Sequence, residues 1–404
     1  MAYQAKRYSV NPEDAVHCIP PDPLLLEDGR RVATADEWLA LRRPQLMALL
    51  ERECYGLPLP PPDVLTVRQL SLRQDALGGL ATRKELEIRC AMNNGRSFAF
   101  VMLLYLPNQA DAPVPAFLGL NFKGNHNTTD ETDVLQTGFV HRDQLAEPKR
   151  GVQTARWCFE EVIRRGYASA TICYHDIHPD FINETERSCF TLFFDEPDYL
   201  RIRETHSIIG AWAWGLRRGL DVLEREPRID SQRVAVHGHS RLGKTSLWAG
   251  ALDQRFAMVI SNDSGCGGAA LHKRKYGENL SQHFEWHEQN EVPVWFITAL
   301  KKYIFKEEDL PFDQHEVLAM AAPRPLCVAS ATQDLQADPE GEYLSCRYAS
   351  PVYELFGCPP FASDCMPQPN QHVPGRLHYH LREGIHDQTP FDWQHYLEQA
   401  DLFL

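Results

Sequence analysis

The sequence predicts an α/β fold: a three-layer sandwich with a mostly parallel central sheet and large loop insertions. Three observations predict it. Short apolar runs alternate with helical patterns over most of the chain, which is the signature of parallel strands covered on both faces. One Val-rich run ends abruptly at a serine and a helical pattern starts straight after it. The chain has 404 residues, 43% of them hydrophobic and 24% charged, enough to bury a full core and too apolar for disorder.

In chain order, residues 1 to about 34 read as an extended arm. Thr34-Ala35-Asp36-Glu37 spells a helix start with Thr34 as N-cap and Glu37 at the third helical position. Pro44 then divides the pattern into a short helix from Ala35 to about Arg42 and a second from Pro44 to about Glu53. Residues 65–106 turn to a β pattern, clearest where Leu86, Ile88 and Cys90 alternate with charged residues, as in a strand with one wet face. Further strands are predicted at 97–106, 114–122, 168–174, 233–236, 257–261, 326–330 and 377–381. Helices are predicted at 208–224, 244–252 and 343–355, and from Pro390 onward. Asp338 before Pro339 reads as a helix cap, and Thr389, Pro390 and Asp392 as the cap and first turn of the closing helix. Two stretches break the alternation, about 123–150 and about 267–315. Connections that long are lids or binding loops, so the sequence describes a single domain, residues 1–404, with an N-terminal arm and helices (about 1–60) and two insertions.

Composition excludes several functions. The net charge of −14 disfavours nucleic acid as a partner, and no apolar run approaches the ~20 residues of a membrane span. The first residues lack the apolar region of a signal peptide, so the compartment is not legible from the chain. The 11 cysteines include no C-x-x-C pair and read as buried thiols. Among the 17 histidines, His283-Phe284-Glu285-Trp286-His287 only imitates a metal motif, and His378 and His380 share one strand face as packing or surface residues; neither a metal nor a cofactor is expected.

The chemistry centres on Arg233-Val234-Ala235-Val236-His237-Gly238-His239-Ser240-Arg241-Leu242-Gly243-Lys244-Thr245. A serine at a strand-to-helix turn with small neighbours is the nucleophile elbow of the α/β-hydrolases, and the next backbone N–H points into an oxyanion hole. The same residues, Gly238 to Thr245, also satisfy the phosphate-binding pattern G-x-x-x-x-G-K-[ST], with Met258 to Asp263 imitating the second motif of nucleoside triphosphatases. Position argues against that alternative: several strands precede this one, and Arg241 and Leu242 sit where the loop would wrap phosphate. The hydrolase order of nucleophile, acid and base is complete downstream. Asp334 follows the strand 326–330 and His386 follows the strand 377–381, while Asp263 is a second possible acid.

Gly238-His239-Ser240-Arg241-Leu242-Gly243-Lys244 resembles the G-C-S-R-x-G-K motif of the glucuronoyl esterases, carbohydrate esterase family 15. Residues 119–126, 262–268, 322–325 and 384–386, with Asp392-Trp393, are similar too, so the resemblance spans most of the chain. It implies cleavage, without a cofactor, of the ester between glucuronic acid on xylan and lignin alcohols. A broader carbohydrate or aryl esterase on the same fold is the alternative. It also implies Ser240 as nucleophile, His386 as base and acid, Arg241 as oxyanion stabiliser, Lys244 as a sugar contact, and a secreted or periplasmic location. Fungal members carry Glu at the position of Asp263, 23 residues after the serine, and many bacterial members carry an Asp-x-Trp acid motif matching Asp334. Asp263 is one methylene shorter than that Glu, which favours Asp334 as the acid. Two departures stand out: His239 replaces a disulfide cysteine, and Gln336 replaces the Trp, with Trp286 or Trp295 available to supply the missing flat surface. The basic run His272-Lys273-Arg274-Lys275 reads first as a solvated loop, with attraction of an acidic glycan or product toward the pocket as the alternative. Oligomeric state is not legible.

Overall fold

The structure, a computed structural model, describes residues 8–138, 149–181, 184–195, 198–289 and 292–404. Its frame is a ten-stranded sheet in the order β1-β2-β3-β5-β4-β6-β7-β8-β10-β9. The strands are β1 (Val64–Asp75), β2 (Ala81–Ala91), β3 (Ser97–Pro107), β4 (Val114–Asn121), β5 (Ala168–Cys173), β6 (Ile229–His239), β7 (Met258–Asn262), β8 (Leu326–Ala331), β9 (Gln371–Val373) and β10 (Leu377–Arg382). The first three form an antiparallel meander that joins β5 antiparallel. From β5 through β4, β6, β7 and β8 to β10 every pairing is parallel, and short β9 closes the edge antiparallel.

The central strands are apolar without interruption because both faces are covered. Val234 and Val236 of β6 point into the larger core, with the helices Ile208–Leu223, Arg241–Leu252 and Pro339–Leu355. Ala235 between them points the other way, toward Trp393, Tyr396 and Leu397 of the closing helix Pro390–Phe403. Alternate residues thus feed opposite layers, as the period of a strand requires.

One expected break is absent. The helical backbone runs on from Ala35 to Tyr55, through a π turn at Trp38–Arg42, the α-helix Arg43–Leu50 and a second π turn at Glu51–Tyr55. Pro44 follows the first π turn, where the wider coil already departs from the i→i−4 ladder that proline would otherwise break. Thr34 does cap the start by accepting the Glu37 N–H at 3.2 Å, while the Glu37 carboxylate reaches back to Ala33 N–H at 2.9 Å. The caps at the far end follow expectation: Asp338 accepts Gly341 N–H at 3.1 Å and Asp392 accepts Thr389 N–H at 2.7 Å. Of the first insertion, residues 139–148 lie outside the described part; Asn125 in it is buried and bonded to Asn121 at 2.8 Å. The second insertion consists mainly of short 3-10 and π turns and carries buried aromatic residues, Phe296 among them, packed on Tyr55 and His283.

Candidate active site

Ser240 sits between β6 and the helix Arg241–Leu252 with φ 59° and ψ −132°, a conformation that costs an L-residue free energy and recurs at functional turns. Neighbouring residues make the turn sterically possible. A Cβ on Gly238 would lie 2.0 Å from the Leu242 carbonyl oxygen, so only glycine fits before the turn. The Ser240 N–H is anchored on the Asn262 carbonyl at 2.8 Å, across to the end of β7.

His386 stands on the loop after β10. Its Nδ1–H donates to Asp334 Oδ2 at 2.5 Å, which leaves Nε2 as the free base. Asp334 follows β8 and is buried, whereas the imidazole remains 44% exposed, accessible to a substrate. His239, next to Ser240, lies against His386 with ring centroids 4.5 Å apart and ties its own Nδ1–H to Asn262 Oδ1 at 2.6 Å. Burial, reinforced by His386, holds the His239 imidazole well below its ordinary pKa, so the face beneath the base is uncharged. His239 thus fills the place of a disulfide cysteine with a packing contact.

Asp263 is close by but differently engaged. One oxygen from it, one from Asp334 and a His386 nitrogen all lie within 4.8 Å of one another. Its Oδ2 accepts the Asp387 N–H at 3.3 Å and faces Arg382 at 3.5 Å, while Oδ1 is buried without a partner. Burial, with the charges of Asp334, Glu342 and Asp392 adding to it, pushes the Asp263 carboxyl well above the usual carboxylate range.

Arg241 extends from the first helical turn across the face of Trp295, 4.5 Å from the ring centre, and its Nη1 pairs with Asp180. Trp295 Nε1–H donates to the other Asp180 oxygen at 2.9 Å. The three side chains therefore form one rigid unit. Burial alone would raise the Asp180 carboxyl, but Arg241, followed by His175 and the Trp295 bond, holds it below its ordinary value. Lys244, one turn further on, is buried, with Nζ on the Cys266 carbonyl at 2.7 Å and on Glu278 Oε2 at 3.0 Å. Against the effect of its burial, Lys244 and then His283 keep the Glu278 carboxyl depressed. Gln336 lies beside this pair: its backbone oxygen accepts the Glu278 N–H at 2.9 Å, and its side-chain Oε1 is buried without a partner.

The sequence reading missed Asp180 and Glu278. Each is an acid within a polar loop, and no spacing rule links it to Ser240; only Arg241 and Lys244, once placed, point to them. The basic run 272–275 does not form a free patch. His272 is buried, Lys273 Nζ binds the carbonyls of Glu307, Glu308 and Leu310, Arg274 pairs with Asp338 and Glu340, and Lys275 pairs with Glu308. Trp286's side chain lies outside the described residues.

A parallel sheet with a strained serine after a central strand, an acid after the strand two places along and a histidine after the last parallel strand defines an α/β-hydrolase. A family model described as "Glucuronyl esterase, fungi" matches residues 192–357. The chain is 40% identical over 390 residues to a carbohydrate esterase of an unknown prokaryotic organism, covering 94% of this chain and 88% of that one. It is 37% identical over 348 residues to 4-O-methyl-glucuronoyl methylesterase 1 of Wolfiporia cocos, covering 84% and 73%. Among solved structures, a glucuronoyl esterase from Solibacter usitatus superposes with a TM-score of 0.88 at 38% identity over 97% of this chain and 99% of that one. A promiscuous CE15 esterase from a marine bacterial metagenome gives 0.86 at 38%, over 98% and 100%. The chain belongs to carbohydrate esterase family 15, the glucuronoyl esterases, and is a carboxylic ester hydrolase. The nucleoside triphosphatase alternative falls with this assignment. No helix among the described residues is long and apolar enough to cross a membrane.

Proposed function

We propose that this protein hydrolyses esters of glucuronate, and of 4-O-methyl-glucuronate on xylan joined to lignin alcohols, through a seryl acyl-enzyme. The bond from His386 Nδ1–H to Asp334 beside the elbow carries this reading, because it fixes the tautomer whose Nε2 takes a proton from Ser240. The Ser240 alkoxide attacks the uronoyl carbonyl. Negative charge develops on the carbonyl oxygen, where the Arg241 backbone N–H and the guanidinium held by Asp180 and Trp295 stabilise it. The proton on His386 passes to the departing alcohol, and water activated by the same Nε2 then releases the acid. Lys244, one helical turn from Ser240, and Glu278, paired to it from the second insertion, offer a donor and an acceptor suited to sugar hydroxyls, with Gln336 at their edge. Trp295 is buried against Arg241 and serves that guanidinium rather than presenting a flat face in place of the residue absent at 336.

The test is hydrolysis of benzyl glucuronate beside benzyl acetate by wild type and Ser240→Ala. Serine-dependent preference for the glucuronate is expected. Equal rates on both esters would make this a broader esterase using the same machinery, and undiminished turnover by Ser240→Ala would overturn the mechanism.

A further inference from the structure

The second histidine cluster lies away from Ser240, between β10 and the closing helix. His378 and His380 project from the same face of β10, two residues apart, and His395 meets them from the helix Pro390–Phe403. All three are buried, and one nitrogen of each lies within 4.8 Å of the other two. We infer that His378, His380 and His395 bind a divalent transition-metal ion of the zinc class.

Four features support a ligand set over plain packing. His378 Nε2 and His380 Nδ1 are 3.3 Å apart, close to the edge of a tetrahedron with Zn–N bonds of ~2.0–2.1 Å, which is roughly 3.3 Å. His380 Nε2–H donates to Asp392 Oδ1 at 2.9 Å, so the lone pair is on Nδ1, aimed at His378; a carboxylate behind a ligating imidazole is the usual outer support of such sites. Glu398 stands 3.4 Å from His395 Nδ1, a second carboxylate to offset the ion's charge. Exposed His372 on edge strand β9 lies over the cluster, 4.9 Å from His395 and 5.4 Å from His378 between ring centres, and offers an entry route and a fourth ligand.

The site has a line to the base. Asp392 Oδ2 accepts Arg382 Nε–H at 3.1 Å, and Arg382 Nη2 holds the carbonyls of Ile385 at 2.9 Å and Asp387 at 2.7 Å, on either side of His386. An ion on His380 therefore braces the loop that carries His386 without touching substrate.

The experiment is calorimetric titration of the chelator-treated, full-length protein with ZnCl2, and with CoCl2 read by visible absorption. One equivalent of saturable binding, an intense tetrahedral cobalt spectrum and a raised Tm are expected. Binding weakens at least ~10-fold in His378→Gln and in His395→Gln, and survives in Asp334→Asn, which disables the other cluster of possible ligands. Circular dichroism checks the folding of each variant. If the histidine variants do not fold, the wild-type cobalt spectrum decides: a weak octahedral spectrum overturns the site. Absence of saturable uptake by the wild type overturns it as well, as does uptake lost in Asp334→Asn and kept in the histidine variants.

Discussion

Asp334→Asn against Asp263→Asn separates the two acids that stand near His386. Asp334 accepts the His386 Nδ1–H at 2.5 Å, so the Asn amide in its place can present an N–H donor instead, favouring the tautomer with the proton on Nε2. The base is then protonated where it must accept, and the imidazolium that forms in the transition state loses its counter-charge. Both losses act in the transition state only, so kcat falls about 10³- to 10⁴-fold, or about 4–5 kcal/mol, with KM little changed. Asp263 is a different case. Burial pushes its carboxyl well above the usual carboxylate range, and its side chain is held by the Asp387 N–H at 3.3 Å and by Arg382 at 3.5 Å rather than by His386. The amide keeps an acceptor oxygen there, and the expected loss in kcat is under ~10-fold. Steady-state kinetics on benzyl glucuronate at pH 7, with thermal melts to confirm folding, measures both. A loss in Asp263→Asn equal to that in Asp334→Asn would refute the assignment, because it would make Asp263 the group that orients the base.

Three further outcomes follow from the geometry. Arg241→Lys should lose ~10²- to 10³-fold in kcat, since an ammonium cannot lie flat on Trp295 while pairing with Asp180; near-wild-type kcat would show that charge alone suffices. Asp180→Asn should strengthen inhibition by free glucuronate about 10-fold by unpairing Arg241, and an unchanged inhibition constant in product-inhibition kinetics would contradict that pairing. His237 is buried among Phe117, Trp157 and Trp393 with both nitrogens unpartnered, and burial lowers its pKa to about 3. The unfolded chain takes up that proton below its ordinary value of 6.5 while the folded chain does not, so stability is full above pH 6.5 and drains away as pH falls toward 3. Between pH 7 and pH 5 the residue accounts for a loss of about 2 kcal/mol, which His237→Leu should remove from the urea-denaturation difference between those two pH values; an unchanged difference would show that His237 is protonated in the folded state.

The strands and helices around Ser240 were legible because burial on both faces leaves an unmistakable pattern, and because the elbow needs Gly238 and a serine at one fixed place. The ends of β8 and β10 were legible for the same reason, and with them Asp334 and His386. Short strand β9 was not, since three residues of an exposed edge carry no periodicity, and His372 on it therefore had no context. The run through Pro44 was misread because sequence rules price proline against an α-helix and say nothing of a π turn that absorbs it. Asp180 and Glu278 escaped for a different reason. Their partners, Arg241 and Lys244, are found by spacing from the serine, but the acids come from loops whose course only the folded chain determines. The basic run 272–275 fits neither a solvated loop nor an attracting patch, because charge in a sequence does not reveal that acids and carbonyls elsewhere will neutralise it.

On the mechanism proposed above, pairing of cations with acids is itself part of how the site works. Each cation near Ser240 has its own carboxylate: Arg241 has Asp180, and Lys244 has Glu278. An ester carries no charge on its uronoyl group, so a pocket with free cations would gain nothing on binding it and would hold the anionic acid product too tightly. A paired guanidinium still presents its remaining N–H groups and its positive edge to an oxygen that becomes negative at 3 Å range. The pairing therefore spends electrostatic strength where charge develops during the reaction and withholds it from the acid left behind. It also explains why the buried Asp180 and the part-buried Glu278 are held ionised against the cost of leaving water: an acid that protonated would release its cation, and the preference for transition state over product would go with it.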